Sequence, residues 1–190
     1  MNISDQKALL RKKLIAQRES ILKKDWQKKS ELVKELVLQS DEFKKARTIH
    51  CFISMNHRFE VETHTLIQSM LLMHKRVIIP VMNMENGTLD HSELTSFSEL
   101  ELNKWGVLEP KELKEFDVNK LDLILVPLLG ADLNGNRLGY GKGYYDRFLD
   151  KVNTSSFGLV FDEFILEKVP TESFDRKLNG IISEKGLTYT

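Results

Sequence analysis

The sequence has almost no cysteine, no long apolar run and no net charge, and each absence restricts the kind of protein it encodes. One cysteine among 190 residues cannot form an intramolecular disulfide, and it leaves no cysteine framework for a zinc site. The longest apolar runs are as long as a strand, far short of the roughly 20 residues that span a bilayer. The first twenty residues carry charges throughout and lack the apolar core of a signal peptide. We therefore expect a cytoplasmic protein that does not insert into membranes.

The 28 Lys and Arg residues balance the 28 Asp and Glu residues, but the two signs are unevenly distributed. Residues 1–50 contain 13 basic against 7 acidic side chains, whereas the remaining residues contain 15 against 21. This basic start indicates that an anion binds nearby, although a solvated helix surface has the same pattern. With 41% apolar residues, the composition predicts a single folded domain over residues 1–190 rather than a disordered chain.

Apolar residues recur at helical spacing in two stretches at the start of the chain. The first covers residues 3–20, with Ser4 or Asp5 as its candidate N-cap. The second covers residues 25–39, with Asp25 as its candidate N-cap. We expect two amphipathic helices that precede the rest of the domain.

Short β-branched and apolar runs alternate with helical patterns through the rest of the chain. The runs predict strands at residues 48–53, 77–81, 122–128, 157–161 and 180–182. A helical pattern covers residues 61–72, and a further helix begins near Tyr144. This alternation is typical of βαβ units, so the predicted fold is a three-layer α/β/α domain, Rossmann-like, with a mostly parallel sheet.

Residues 83–119 and 129–143 have patterns of loops and turns. Asn86-Gly87 predicts a turn between short strands, and residues 105–110 are typical of an irregular loop. The turn-rich stretch 129–143 follows a predicted strand, and parallel sheets bind ligands beyond the carboxyl ends of their strands.

A glycine-rich segment between the strand at 122–128 and the following helix carries the clearest chemical signal. Glycines alternate at positions 139, 141 and 143, with Arg137 and Lys142 among them. Free backbone N–H groups, two cations and a helix N-terminus favour a phosphate ligand, and Asp146 could hold a Mg²⁺ ion on those phosphates. The segment is neither a Walker A loop nor Gly-x-Gly-x-x-Gly. A tight connection for the glycines and a helix-dipole role for Asp146 remain alternatives.

Two further groups of charged residues are candidates for binding. Lys7 and Arg11 are four residues apart and Arg18 follows one heptad later, so this row could reach an anion held by the glycines, or simply be solvated. Glu60 and Glu62 lie between a strand and a helix, where one is expected to cap the helix and the other is a candidate ligand contact. The five histidines lack metal-binding spacing, and the one cysteine lies in a strand predicted to be buried.

The segment 137–146 (RLGYGKGYYD) resembles the signature of the 5-formyltetrahydrofolate cyclo-ligase family, the 5,10-methenyltetrahydrofolate synthetases. Further matches lie at residues 7–11, 60–63, 105–110 and 122–127. The resemblance implies an ATP-dependent ring closure, in which Mg·ATP first phosphorylates the formyl oxygen of 5-formyltetrahydrofolate. N10 of the folate would then attack the resulting N5-iminophosphate. The implied products are 5,10-methenyltetrahydrofolate, ADP and phosphate. It implies folate and ATP as small-molecule partners, Mg²⁺ as cofactor and no nucleic acid, with a monomer expected and a dimer as the alternative.

The resemblance also assigns roles to individual residues. Arg137 and Lys142 would be catalytic, because they stabilise the transferring phosphoryl group. The implied ATP-binding residues are Lys7, Ala8, Leu9, Leu10, Arg11, Arg137, Leu138, Gly139, Tyr140, Gly141, Lys142, Gly143, Tyr144 and Tyr145. The implied folate-binding residues are Met55, Glu60, Trp105, Tyr140 and Tyr144, and Asp146 is the implied Mg²⁺ ligand.

The sequence departs from the family pattern in places that keep other functions open. Two additional residues lie between Ser54 and Glu60, and Phe164 and Phe174 replace a glutamine and a histidine that are frequent in the family. One alternative is therefore an ATP-binding paralogue that acts on another formylated or carboxylated substrate. A second alternative is a nucleic-acid-binding module built on the basic start, but its acidic residues are interleaved and no aromatic pair accompanies it.

Overall fold

The computed structural model describes residues 2–103 and 106–190. Three helices precede the sheet: α1 Ile3–Glu19, α2 Lys23–Gln39 and α3 Asp41–Lys45. Both predicted amphipathic helices are confirmed, but their predicted caps are wrong. The Asn2 side chain accepts a hydrogen bond from the Asp5 backbone N–H (2.8 Å), so Asn2 caps α1. In α2, Asp25 lies within the first turn and no side chain forms a capping hydrogen bond.

Within residues 2–103 and 106–190, twelve strands and two further helices follow. The strands are β1 Thr48–Cys51, β2 Arg76–Asn83, β3 Thr88–Leu94, β4 Leu100–Leu102, β5 Leu108–Pro110, β6 Leu123–Pro127, β7 Gly130–Asp132, β8 Arg137–Leu138, β9 Ser156–Leu159, β10 Ile165–Leu166, β11 Gly180–Ser183 and β12 Gly186–Tyr189. The helices are α4 His64–Leu72 and α5 Tyr144–Leu149. Short 3₁₀ turns cover Asn56–Arg58, Phe97–Glu99, Val118–Lys120 and Asp162–Phe164.

Seven of these strands form the main sheet, in the order β12-β11-β9-β6-β1-β2-β3. The four inner pairs are parallel, and the pairs at the two edges, β11–β12 and β2–β3, are antiparallel. The central strands β1 and β6 are buried almost throughout, as expected for parallel strands that are covered on both faces. The predicted α/β fold with a mostly parallel sheet is therefore confirmed.

The predicted start of the fourth helix moves because a side chain caps it. The helix predicted over 61–72 begins at His64, because the Glu62 carboxylate accepts hydrogen bonds from the backbone N–H groups of His64 and Thr65. The Thr63 hydroxyl donates to the Phe52 carbonyl oxygen (2.7 Å) and holds this turn against the end of β1. Glu62 is thus the capping member of the acidic pair, as expected for one of the two.

Residues 83–119 contain more strand than their pattern indicates. The turn predicted at Asn86-Gly87 is confirmed: Gly87 has φ +69° and joins β2 to β3. The irregular loop predicted over 105–110 is wrong for its second half, because Leu108–Pro110 pairs with Leu100–Leu102 as a two-stranded sheet. Three-residue strands are too short to show an alternating pattern, so pairing between distant residues decides this region.

The parallel pairing of β1 and β6 positions the candidate site. Both strands end at the same edge of the sheet, so the segment after β1 and the segment after β6 meet there. The first segment contains Glu60, and the second contains the glycines at 139, 141 and 143. Among residues 2–103 and 106–190, no helix is long and apolar enough to cross a membrane.

Candidate active site

A cavity of about 290 Å³ opens at this edge of the sheet. Its size is at the lower end of the range of pockets that hold small-molecule ligands. It is lined by Lys7, Arg11, Phe52, Ile53, Met55, Glu60, Pro80, Met82, Leu89, Val107, Leu108, Glu109, Pro127, Asp175 and the segment 137–146. Cationic and glycine residues share this cavity with a carboxylate and an apolar wall.

Two glycines of the segment 137–146 have backbone conformations that residues with a side chain adopt only with strain. Gly141 has φ +92° and Gly143 has φ +68°, in the left-handed region that favours glycine. A Cβ atom at Gly141 would lie only 3.0 Å from the Arg11 guanidinium carbon, so this position also needs a small residue. Gly139 has open space around it, since a Cβ atom there would meet no atom within 4 Å. The loop therefore leaves room beside its backbone at one end of the cavity.

The first helix reaches this loop, which is one of the two arrangements that the spacing of its basic residues left open. The Arg11 Nε atom donates to the Gly139 carbonyl oxygen (2.9 Å), and the Lys7 Nζ atom contacts Glu172 Oε2 (2.8 Å) and Asp175 Oδ2 (2.5 Å). Lys7 is almost fully buried. A cation is buried stably when carboxylates surround it, so the segment around Glu172 and Asp175 holds Lys7 at the cavity wall.

Arg137 and Asp146 form a second ion pair in the same region. The Arg137 Nη2 atom donates to Asp146 Oδ1 (2.8 Å), and its Nη1 atom donates to the carbonyl oxygen of Arg176. Burial lowers the pKa of Arg137, and the neighbouring Asp146 carboxylate opposes this shift. The Asp146 Oδ1 atom also accepts from the Arg176 backbone N–H (3.1 Å), so both donors use one carboxylate oxygen. Arg137 is thus a fixed cation rather than a mobile one.

Lys142 is the exposed cation of the loop. Among residues 2–103 and 106–190, its ammonium group has no hydrogen bond or ion pair; only its carbonyl oxygen is used, by Arg147. Lys142 is therefore available to an incoming anion in a way that Lys7 and Arg137 are not.

Glu60 occupies another part of the cavity wall and is almost fully buried. Its Oε1 atom accepts from the Tyr140 hydroxyl (2.8 Å), and its Oε2 atom accepts from the Met55 backbone N–H (2.7 Å). Burial raises the pKa of Glu60, while these two hydrogen bonds and the charges of Arg18 and Arg58 oppose the shift. The carboxylate is consequently held in one orientation beside the cavity.

The structure brings most of the residues implied by the family resemblance to one cavity. Lys7, Arg11, Met55, Glu60 and all of residues 137–146 line it. Ala8, Leu9 and Leu10 do not line it: they occupy other faces of α1, and Leu9 is 60% exposed. Trp105 lies outside the described residues. The binding and catalytic roles themselves remain predictions.

The structure adds cavity residues that the sequence did not indicate. Pro80, Met82 and Leu89, from the β2–β3 hairpin, supply an apolar wall together with Val107 and Leu108. No sequence signal separates them from core residues, because an apolar side chain in a strand has the same pattern whether it faces a cavity or the interior.

The two phenylalanines that depart from the family pattern do not line this cavity. Phe164 is buried in the core, with the Arg18 guanidinium 5.6 Å from its ring centre. Phe174 is 62% exposed, and the Lys7 ammonium lies 5.4 Å from its ring centre. Phe164 thus packs against the buried Arg18, and the exposed Phe174 covers the buried Lys7.

A buried polar cluster lies behind α5. The rings of His50 and His91 are 5.2 Å apart, and Phe148 and Tyr145 pack against them. In the described part of the chain, both ring nitrogens of His50, the His91 Nδ1 atom and the Tyr145 hydroxyl are buried without a hydrogen-bond partner. Burial lowers the pKa of His91 to about 4 and that of His50 well below its usual value. Burial therefore favours the neutral form of both imidazole rings in the folded protein.

Comparison with known proteins identifies the family. The profile of the 5-formyltetrahydrofolate cyclo-ligase family matches residues 3–184. The 5-formyltetrahydrofolate cyclo-ligase of Mus musculus is 32% identical over 170 residues, which cover 83% of this chain and 83% of that protein. The protein of the same name from Escherichia coli K12 is 32% identical over 144 residues, covering 73% and 78%. The NMR structure of Aquifex aeolicus 5,10-methenyltetrahydrofolate synthetase matches with a TM-score of 0.85 at 28% identity, covering 96% of this chain and 92% of that chain. The chain belongs to the 5-formyltetrahydrofolate cyclo-ligase family of enzymes.

Proposed function

We propose that this protein converts 5-formyltetrahydrofolate into 5,10-methenyltetrahydrofolate, with ATP as co-substrate and Mg²⁺ as cofactor. The formyl oxygen attacks the γ-phosphorus of ATP, the bond to the bridging oxygen breaks, and ADP leaves. N10 then attacks the activated carbon and loses its proton, and the carbon–oxygen bond breaks. Phosphate leaves with the former formyl oxygen, and the ring is closed.

The observation that carries the proposal is the convergence of two unlike groups on one cavity. A glycine loop with Arg137 and Lys142 shares the cavity with the buried Glu60 carboxylate. Phosphoryl transfer needs cations and backbone donors around the transferring group, whereas a pterin ring offers N–H donors to a carboxylate. The cavity thus has one part suited to each substrate.

Each cation has a distinct contribution in this proposal. Lys142 approaches the γ-phosphate and neutralises the charge that develops during transfer, since its ammonium is free of protein partners in the described residues. Arg137 is held by Asp146 and supplies a fixed positive charge beside the loop. Lys7 and Arg11 contact the phosphates from the first helix. When ATP binds, a phosphate oxygen replaces one of the two carboxylates that pair with Lys7.

Asp146 fits the proposed Mg²⁺ ion as a single protein ligand. Both hydrogen bonds to its carboxylate go to Oδ1, so within the described residues Oδ2 has no donor. No group of three or more His, Cys, Asp or Glu residues that could hold a metal is present among those residues. One carboxylate with phosphate oxygens and water suits Mg²⁺, which neutralises phosphate charge when bound.

The test is to mix purified protein with 5-formyltetrahydrofolate, ATP and Mg²⁺ and to follow the methenyl product by its absorbance. We expect product formation that stops when ATP is omitted or when EDTA is added. With ¹⁸O in the formyl group, we expect the label in the released phosphate, as the iminophosphate route requires. No product above the no-enzyme control contradicts the proposal, and unlabelled phosphate contradicts the intermediate.

The structure bears on both alternatives. A different small substrate was suggested by Phe164 and Phe174: Phe164 is buried in the core, whereas Phe174 lines a pocket that adjoins the cavity and shares Lys7, Arg11 and Lys142 with it. A nucleic-acid site was suggested by the basic start, but Lys7 and Arg11 contact groups of the protein itself. ATP turnover with another small acid would support the paralogue, and RNA binding that ATP does not displace would support the nucleic-acid-binding module.

A further inference from the structure

Arg18 is a buried cation for which neither the family resemblance nor the proposed chemistry provides a role. It comes from α1, and its relative exposure is only 4%. Among the described residues it has no carboxylate within ion-pair distance: its Nη2 atom donates to the Leu128 carbonyl oxygen (2.5 Å), and its guanidinium lies over the Phe164 ring. A buried charge without an ion-pair partner is costly, so a further group must compensate it.

The nearest group that can compensate this charge is the Glu60 carboxylate, which the Tyr140 hydroxyl connects to Arg18. Arg18 Nη1 lies 3.5 Å from the Tyr140 hydroxyl oxygen, and that hydroxyl donates to Glu60 Oε1 at 2.8 Å. Arg18 thus donates to an oxygen whose own proton points to the carboxylate, and the two hydrogen bonds polarise each other in the same sense. The three side chains form a line from the first helix to the cavity wall.

The Glu60 backbone is fixed independently of this line. The Trp26 indole N–H donates to the Glu60 carbonyl oxygen (2.6 Å), and the Met55 N–H holds the other carboxylate oxygen. Loss of Arg18 therefore leaves Glu60 in place and changes its charge and its Oε1 contact. The effect of Arg18 can thus be separated from a general collapse of the site.

We propose that Arg18 is a positioning residue for the folate, which acts through the Tyr140 hydroxyl to keep the Glu60 carboxylate ionised and oriented beside the cavity. The inference rests on the proposed function, in which Glu60 accepts hydrogen bonds from the pterin. An ionised carboxylate is the stronger acceptor, so folate affinity depends on its charge. Arg18 never touches the substrate.

The groups that determine the charge of Glu60 come from four elements. Arg18 from α1 and Arg58 from the 3₁₀ turn Asn56–Arg58 favour the anion, Tyr140 donates to it, and Tyr145 from α5 lies close enough to interact electrostatically. Arg58 is exposed, with its guanidinium 5.7 Å from the centre of the Tyr140 ring. Solvent screens an exposed charge much more than a buried one, so Arg58 is a matched control for Arg18.

The experiment titrates Glu60 directly and measures substrate constants in parallel. The ligand-free protein is labelled with ¹³C-glutamate, and the NMR signal of Glu60 is assigned by its loss in Glu60→Gln. The pH midpoint of the Glu60 titration is then compared among the wild type, Arg18→Met, Arg18→Lys and Arg58→Met. With Arg18→Met we expect the midpoint to rise by about one pH unit. We also expect a roughly three-fold higher KM for 5-formyltetrahydrofolate at neutral pH, with the KM for ATP changed less than about 1.5-fold. Arg18→Lys restores part of both effects.

Two results overturn the inference: a Glu60 midpoint that stays within about 0.2 units in Arg18→Met, or one that moves equally in Arg58→Met. If Arg18→Met does not fold, Tyr140→Phe removes the connecting hydroxyl instead. Its Glu60 midpoint is expected to rise too, and an unchanged midpoint overturns the relay. The titration needs no turnover, so an inactive wild type contradicts the proposed function while the Glu60 midpoints still decide the role of Arg18.

Discussion

The two parts of the cavity hold their charges in different ways. At the proposed phosphate end, buried cations are matched with partly exposed carboxylates: Lys7 with Glu172 and Asp175, and Arg137 with Asp146. At the proposed folate end, the buried Glu60 carboxylate is held by a hydroxyl and a backbone N–H. One end is built from ion pairs, and the other from neutral donors.

The two ends should therefore respond differently to salt, metal ion and substitution. Ion pairs near solvent can exchange a carboxylate for a phosphate oxygen, so the phosphate end should depend on mobile charge, metal ion and salt. A buried carboxylate with two fixed donors depends instead on local geometry and burial. Perturbations of exposed charge, such as added salt, should therefore affect ATP use more than folate binding.

The largest expected effect comes from the exposed cation of the loop. Replacement of Lys142 by alanine should lower kcat by about 10²–10³-fold, because it removes a charge that stabilises the transferring phosphoryl group. The KM for folate should change little, since Lys142 is assigned to the phosphate end. Steady-state kinetics check this, with Lys168→Ala as an exposed-lysine control and Lys142→Arg as a partial rescue. Unchanged turnover in Lys142→Ala removes this residue from the catalytic set.

A smaller effect is expected from the proposed metal ligand. Asp146→Asn keeps an oxygen for Arg137 but loses the negative charge, so the Mg²⁺ concentration at half-maximal rate should rise about ten-fold. Asp150→Asn is the matched control, because Asp150 ends the same helix and pairs with Arg176. If the two variants give the same Mg²⁺ titration, the Asp146 carboxylate serves only its ion pair and the helix start.

Acid should weaken the support behind the phosphate end. The helix α5 packs on the buried His50 and the partly buried His91, and burial lowers the pKa of both. Because the folded-state pKa of each lies below its unfolded value, the unfolded chain binds more protons, so stability falls as pH drops from about 6.5 toward 4.

Urea unfolding at several pH values measures this dependence. His91→Phe removes one titrating group while keeping an aromatic ring, so its stability should fall less steeply than that of wild type below neutral pH. The exposed His57, replaced by glutamine, provides the control and should leave the slope unchanged. An equal slope in His91→Phe and wild type shows that the acid sensitivity has another source.

The sequence indicated the loop at residues 137–146 better than the rest of the cavity wall, and the reason is local. Glycines at 139, 141 and 143, the cations between them and the row from Lys7 to Arg11 can be recognised from short spacing alone. The fixed turns at Gly141 and Gly143 need glycine whatever surrounds them. A motif whose backbone is locally constrained is readable from the chain.

The remaining features depend on contacts between distant residues. Glu172 and Asp175 are more than 160 positions from Lys7, and nothing in their neighbourhood indicates that they hold a cation. Leu108–Pro110 becomes a strand only because Leu100–Leu102 pairs with it. Similarly, nothing in the sequence joins Arg18 to Glu60, since Tyr140 connects them only after folding. Tertiary pairing, rather than local propensity, determines these features.

Added salt should have a small effect that differs between the two ends of the cavity. Raising NaCl from about 0.05 M to about 0.5 M shortens the distance over which exposed charges interact from roughly 14 Å to roughly 4 Å. The KM for ATP should then rise about three-fold, because phosphate competes for cations near solvent, while the KM for folate should stay within about two-fold. Potassium glutamate in place of NaCl controls for chloride at the phosphate site. Equal sensitivity of both constants would show that the buried carboxylate is as accessible to ions as the loop, and the contrast between the two ends would be lost.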